Sequence, residues 1–329
     1  HSDPTTKSSL DLHIHPTSNM KTSDFDYRLP TELIAQTPTE PRDHSRLLAL
    51  NRRTGAITHV DTFASITSYT RPGDVFVFNN TKVLPSRLLG ETIPDAKPVE
   101  LLLLRRLSPG VWHCIGKPGK RLNSGSTLQF PRGHSVMRAT VIEEHKEGFR
   151  TIQLEGENAL ARVGQIPIPP YIHNPLKAPA RYQTVYAEEP GSAAAPTAGL
   201  HFTKQLIQNL VESAIELAFI TLHIGPGTFR PVSSEDPRNH FLDPEAYWVT
   251  DKAATTINQA KLEGRRVICV GTTTMRVVET VAAKRNTSPP LQAGSGWADL
   301  LILPGHNFKV ADGLVTNFHM PRSSLLMLV

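Results

Sequence analysis

The stretch VELLLLRRLSPGVWHCIGKPGKRLNSGSTLQFPRGHSVMRATVIEEHKEGFRTIQLEG (99–156) decides how the chain is divided. It breaks into short apolar runs at near-regular spacing, VELLLLRRL, VWHCIG, TLQF, SVMRATVIEE and GFRTIQLEG, separated by SPG, KPGK, NSGS, PRG and HKEG. Runs of this length between glycine- and proline-bearing turns, with no helical pattern among them, predict an antiparallel barrel or sandwich. The texture begins near Arg87 and ends near Gly164, so residues 86–165 are expected to form one small all-β domain.

The sequence on either side reads differently. After the proline-rich connector IPIPPYI (166–172), which cannot be helical, KQLIQNLVESAIEL (204–217) sets Leu206, Ile207, Leu210, Ala214 and Leu217 on one side of a helix. LAFITLHI, RRVICVG and ADLLILPG read as buried strands alternating with the helical KAATTINQAKLEG and TTMRVVETVAAKR. Upstream, TELIAQ is a short helical stretch, RLLAL and AITHV form a hairpin around NRRTG, and DVFVFN is a buried strand. Residues 20–85 are too few for a core of their own and are expected to complete the later part. The fold class is therefore α/β: a large layered mixed-sheet domain of 20–85 plus 166–329, with the small antiparallel β-barrel inserted.

Composition excludes several classes. At 329 residues, 39% hydrophobic and 20% charged, the chain has material for a large core but no apolar run near the roughly 20 residues of a membrane span. Residues 1–19 are polar and carry neither the apolar stretch of a signal peptide nor a transit peptide's arginines; they are read as an expression leader or disordered tail. Two distant cysteines, Cys114 and Cys269, suit a reducing cytoplasm. The predicted barrel carries 12 basic and 8 acidic residues, a net +4, which makes it the candidate landing surface for a polyanion.

Candidate chemistry gathers where strands are expected to end, because open α/β sheets bind ligands beyond their strand ends. In TLHIGPGTFRPV (221–232), His223 is followed by Gly225, Pro226, Gly227, Thr228 and Arg230. In VGTTTMRVVE (270–279), Thr272 and Thr273 open a helix whose free N–H groups suit a carboxylate or phosphate; Arg276 and Glu279 lie along it. In APTAGLHFT (195–203), Thr197 and Gly199 precede His201. FNNTKVLPSRL (78–88) offers Asn79, Asn80 and Thr81 to a base or sugar, with Lys82 and Arg87 for anions. Thr316, Asn317 and His319 repeat that mixture. Neither His201, His223, His240 nor His319 has a partner at metal-ligand spacing, so no metal is expected. A Walker A loop and a dinucleotide fingerprint are both missing from the sequence.

Several long motifs are distinctive together: SDFDYRLP, FNNTKVLPSRL, RYQTVYAEEPGSAAAPTAGLHFT, TLHIGPGTFRPV, VGTTTMRVVE, GWADLLILPG and FKVADGLVTNFHMPRSSLLMLV. With them, residues 21–329 resemble the bacterial S-adenosylmethionine:tRNA ribosyltransferase-isomerases of queuosine biosynthesis. The resemblance implies transfer and isomerisation of the ribosyl part of S-adenosylmethionine onto 7-aminomethyl-7-deazaguanine at the tRNA wobble position. Epoxyqueuosine forms, and adenine and methionine leave. It implies a large α/β domain with an inserted barrel, a cytoplasmic setting, no prosthetic group and S-adenosylmethionine as co-substrate. A monomer is expected. The chain departs from the family pattern at Asp243 in HFLDPE and Ala298 in GWAD, and family members continue past LLMLV with another helical segment.

On this footing His201 and His223 are the expected proton-transfer groups, with neither assigned as base or acid. Pro226, Gly227 and Thr228 are expected around the sugar, Arg230 and the Thr272–Thr273 helix start at the methionine carboxylate, and Glu279 or Asp299 at its ammonium. Lys117, Lys120 and Arg121 in GKPGKRL are expected to meet tRNA phosphates. Two alternatives remain at this stage: a paralogue using S-adenosylmethionine on another amine or deazaguanine, and a non-catalytic RNA-binding module.

Overall fold

The computed structural model describes residues 20–176, 178–225, 232–284 and 290–329. TELIAQ contributes only a 3-10 turn at Thr31–Leu33, since a segment this short between prolines gains too few hydrogen bonds to propagate a helix. The hairpin is present as β1 (Leu47–Leu50) and β2 (Ile57–Val60).

β3 (Val75–Asn79) is buried along its whole length. Val75 and Val77 enter one apolar cluster, while Phe76 and Phe78 enter another on the opposite face. Burial on both sides is the condition under which a strand reads as an unbroken apolar run, as VFVF does. The chain then makes the short β4 (Thr81–Val83) and passes into the barrel.

The barrel closes in the order β10 (Phe149–Glu155), β7 (Val111–Lys117), β6 (Pro98–Ser108), β5 (Arg87–Ile93), β8 (Thr127–Arg132) and β9 (Ser135–Glu144). All its pairings are antiparallel. Alternation decides what lies inside: Val99, Leu101 and Leu103 from β6, Trp112 and Cys114 from β7, Leu128 and Phe130 from β8, with α1 (Leu160–Val163) packed against the same cluster. The ends of the insertion meet, Arg87 and Gln165 exchanging backbone hydrogen bonds of 3.0 and 2.8 Å.

Beyond the barrel, β11 (Glu189–Ser192) pairs parallel with β4. α2 (Lys204–Glu212) is shorter than its apolar pattern predicts. Ala214 takes a left-handed φ of 58°, its carbonyl accepts from Gly73, and the chain turns into β12 (Glu216–Leu222) beside β3. Pairing with β3 therefore takes Glu216 and Leu217 from the helix.

β13 (Glu245–Val249), α3 (Asp251–Leu262), β14 (Val267–Val270), α4 (Thr272–Ala283), β15 (Gly294–Ala298), β16 (Gly313–Val315) and α5 (Ser324–Leu328) complete the molecule. ADLLILPG is not a strand beyond Ala298. Ile302 and Leu300 pack in the core, but Arg276 takes the carbonyls of Ala298 and Leu300 in place of a sheet partner.

The six-stranded sheet runs β15-β13-β12-β3-β14-β16, with β12, β3, β14 and β16 mutually parallel. α3 and α4 supply the cluster on the Val75 side, and α2 with Phe63, Ile66 and Phe202 covers the Phe76 side. A mixed sheet with helices on both faces and an inserted closed barrel agrees with the expected fold class.

Gly164 lies where the barrel's two ends come together, and a Cβ there would stand 1.8 Å from the carbonyl oxygen of Pro85. Relieving that clash must part the Arg87–Gln165 pairing. Gly164→Ala is expected to destabilise the protein by about 1–3 kcal/mol, read as a lower thermal midpoint; an unchanged midpoint would show that the junction is soft.

Candidate functional site

Parallel strands end at a common edge, so the segments leaving β3, β12, β14 and β16 converge on one side of the sheet. Asn79 sits at the centre, fully buried. Its Oδ1 accepts from the backbone N–H groups of Leu222 (3.0 Å) and Thr81 (3.1 Å), and its Nδ2 donates to the Leu222 carbonyl (3.0 Å) and reaches Thr273 Oγ1 at 3.5 Å. This carboxamide is spent on joining three segments. Asn80 accepts from the Thr221 hydroxyl at 2.7 Å.

His223 is the first residue past β12. Ala218, Ile220 and Leu222 point into the Val75-side cluster, whereas Leu217 and Phe219 point into the other. By the two-residue period of a strand, Thr221 and His223 share the Phe219 face. The imidazole is half-buried, with Nδ1 2.7 Å from Thr81 Oγ1 and its ring 5.1 Å from that of Trp248. A Cβ on Gly191 would approach His223 Nε2 to 2.4 Å, and Gly191 has a φ of 154°; only glycine fits there.

His201 ends the 3-10 turn Thr197–His201, which follows β11. Ala198 and Phe202 anchor that turn in the cluster of Phe76 and Phe78. Its Nδ1 lies 2.7 Å from Ser45 Oγ, and its ring packs 5.3 Å from Phe63. Ala198 abuts the Gly271 position at the end of β14. His201 and His223 thus occupy the same face and the same edge of the sheet, each with a hydroxyl on Nδ1. Burial pushes both imidazoles below the ordinary value of 6.5. For His201 the neighbouring Arg181 lowers it further, while the Asn317 side chain and the Arg42 backbone oppose the shift. His319, with Thr316 Oγ1 2.9 Å from Nε2, is pushed down by burial to about 4.

The other expected residues divide. Thr272 and Thr273 are buried at the start of α4, behind Gly271 at φ 95°, and no side chain among the described residues caps that helix. Asp299 is exposed at the same edge, since β15 runs in the direction of β12. Arg276 instead forms a buried ion pair with Glu245 at 2.6 Å; Glu245 also accepts from the Gly225 N–H at 2.8 Å, which fixes the exit from β12. Glu279 accepts from the backbone N–H groups of Lys309, Val310 and Ala311, holding the approach to β16 and leaving no place for an ammonium. Gly199 backs onto the Tyr186 hydroxyl, 2.0 Å from where a Cβ would stand. Thr197 is half-buried, and Lys82 is exposed on β4.

Arg87 pairs with Glu100 within the barrel. Lys117 and Lys120 are exposed there, and Arg121 donates to the Pro98 carbonyl. Pro226, Gly227, Thr228 and Arg230 lie outside the described residues. Among the described residues no three metal-ligating side chains cluster, and no helix is long and apolar enough to cross a membrane. Ser45, Gly191 and Trp248 escaped the sequence reading. Ser45 sits in an unremarkable RDHSRL, and its meeting with His201 spans 156 positions.

Comparison with known proteins gives a consistent result. A family model described as queuosine biosynthesis protein matches residues 22–329. A protein of Symbiobacterium thermophilum called S-adenosylmethionine:tRNA ribosyltransferase-isomerase is 50% identical over 314 residues, spanning 94% of this chain and 90% of its own. One of the same name from Dehalococcoides mccartyi is 48% identical over 311 residues, with the same coverage. The crystal structure of an S-adenosylmethionine tRNA ribosyltransferase from Thermotoga maritima is 32% identical, covers 93% of this chain and 88% of its own, and superposes with a TM-score of 0.48.

The depressed imidazoles have a direct consequence. A histidine whose folded pKa is lowered adds stability that is complete above pH 6.5 and is lost as pH falls toward the folded value. Nitrogen-15 NMR at pH 6.5 is expected to find His201 and His223 mostly neutral and His319 neutral down to about pH 4; half-protonated rings at pH 6.5 would contradict the burial described.

Proposed function

The chain belongs to the queuosine biosynthesis protein family, and from that membership we propose that it transfers and isomerises the ribosyl moiety of S-adenosylmethionine onto 7-aminomethyl-7-deazaguanine at the tRNA wobble position. Epoxyqueuosine-tRNA forms, and adenine and methionine are released. The observation that carries the site assignment is the pair of half-buried imidazoles on one face of the sheet edge, each with Nδ1 engaged by a hydroxyl.

The chemistry sets three demands. A proton must leave the ribose carbon bonded to the sulfonium, adenine must depart with a proton, and the tRNA amine must form a bond to the opened sugar as the carbon–sulfur bond to methionine breaks. The fixed positive charge on sulfur stabilises the carbanion, so a base that is neutral near physiological pH suffices. Burial keeps both imidazoles in that form. One takes the proton from carbon and becomes an imidazolium; passed to the other ring, that proton is the one delivered to the departing adenine. Ser45 and Thr81 hold the two rings by Nδ1.

The uncapped start of α4 at Thr272 and Thr273 suits the methionine carboxylate, because its N–H groups and helix dipole favour an anion. Asp299, exposed at the same edge, suits the ammonium. Pro226, Gly227, Thr228 and Arg230 complete the pocket on the sequence argument. Residues 20–85 with 166–329 constitute the catalytic domain and 86–165 the tRNA-contacting insertion, in a monomer acting in the cytoplasm.

His201→Gln and His223→Gln are each expected to cut adenine release by about 10²–10⁴-fold, the usual worth of a positioned acid or base, with the acid limb of wild-type kcat/KM below pH 6.5. Wild-type turnover in both variants would remove the imidazoles from the reaction.

Replacing Lys117, Lys120 and Arg121 together by Gln is expected to weaken tRNA binding and flatten its dependence on salt, as loss of counterion release requires. A slope equal to the wild type's would relocate the phosphate contacts.

A further inference from the structure

Two of the chain's three tryptophans stand partly in solvent, Trp248 at 43% and Trp297 at 44% exposure. In the β13–β15 ladder Trp297 faces Ala246 and Trp248 faces Ser295. Paired residues share a face, as do residues two apart, so both indoles project from the same side of the sheet. That side is the one carrying His223: Trp248 lies opposite Thr221, and the His223 N–H donates to the Ala246 carbonyl. His223, Ala246 and Trp297 therefore form one row across three strands, with Trp248 in the adjacent row.

The barrel supplies a facing wall. Arg105 of β6 places its guanidinium over the Trp297 ring, 5.3 Å from the centroid. Beside Arg105 in the ladder is His113, whose ring stacks on Phe149 at 5.1 Å and 11°. An arginine and two stacked rings thus stand beside two half-exposed indoles, on a barrel with net charge +4. Large aromatics left uncovered beside a site mark a contact surface, and the positive charge favours an anionic partner whose bases present flat faces.

We propose that Trp248 and Trp297, flanked by Arg105 and His113, form a stacking platform for the single-stranded nucleotides adjoining the target base of the RNA, holding the loop open at His223. The proposal rests on the tRNA reading above and adds where the unpaired loop lies. Diagonal neighbours of a ladder stand about 7–8 Å apart, which lets each indole take its own base. Stacking of this kind tolerates any sequence, because every base has a flat face.

The test uses an RNA hairpin with an unmodified anticodon loop, a blunt RNA duplex and S-adenosylmethionine as three probes of the intact protein. Trp248→Leu and Trp297→Leu are each expected to weaken hairpin binding about tenfold, with an unchanged salt slope and unchanged duplex binding; Trp297→Leu, whose indole does not touch His223, is expected to leave S-adenosylmethionine binding unchanged as well. Trp248→Tyr and Trp297→Tyr are expected to restore most of the loss. Wild-type hairpin affinity in both Leu variants overturns the platform alone. A loss that tyrosine does not rescue, or that in Trp297→Leu extends equally to S-adenosylmethionine, assigns the indoles to holding barrel and sheet together and also overturns it. Failure of the wild-type protein to bind the hairpin overturns the platform and the tRNA reading together.

Discussion

The carboxamide of Asn79 is the interaction on which the sheet edge depends. It is wholly buried, and its bonds to Leu222, Thr81 and Thr273 hold the end of β12, the start of β4 and the first turn of α4 at fixed mutual positions. Those three segments carry His223, the hydroxyl that orients it and the open helix terminus. A buried amide stripped of partners costs on the order of 1–3 kcal/mol, so the arrangement is strongly preferred once the strands pair. The edge is positioned by a polar group that cannot itself be spent on a ligand.

The same economy governs the charged groups nearby. Arg276 and Glu245 are buried together, and Glu245 also takes the Gly225 N–H, so an ion pair inside the molecule fixes the direction in which the chain leaves β12. Glu279 performs the matching task for the approach to β16 through three backbone amides. Removing one member of a buried pair leaves an uncompensated charge and costs several kcal/mol. These side chains surround the site and shape it without facing it.

This explains how far the sequence could be read. Strand and turn alternation in 99–156 marked the barrel because each strand has one buried face and repeats with period two. The apolar run VFVF marked β3 because both its faces are covered. Ala214 and Leu217 continue the apolar stripe of α2, but Ala214 turns out of the helix with a left-handed φ and the pairing of β12 with β3 withdraws Leu217. His201, His223, Thr272 and Thr273 were legible as polar residues at strand ends rich in glycine. Asn79, Arg276 and Glu279 share those surroundings, and residue type alone does not reveal which polar group is already taken. Ser45 and Gly191 were invisible because their value lies in contacts with His201 and His223 across long stretches of chain.

The barrel's location follows from the same edge. β3 ends at Asn79, β4 adds three residues, and the chain enters β5 at Arg87, so little backbone separates the sheet edge from the insertion. The return at Gln165 is hydrogen-bonded to that entry, and the barrel is held by both ends at one point. A short double tether confines its inner strands to the neighbourhood of the sheet, where Arg105 meets Trp297. Contact between a basic, ring-bearing wall and the row containing His223 is therefore a consequence of where the insertion was made. Chemistry needing a small sulfonium and a large polyanion at one place is served by joining the two surfaces beside the strand end that bears His223.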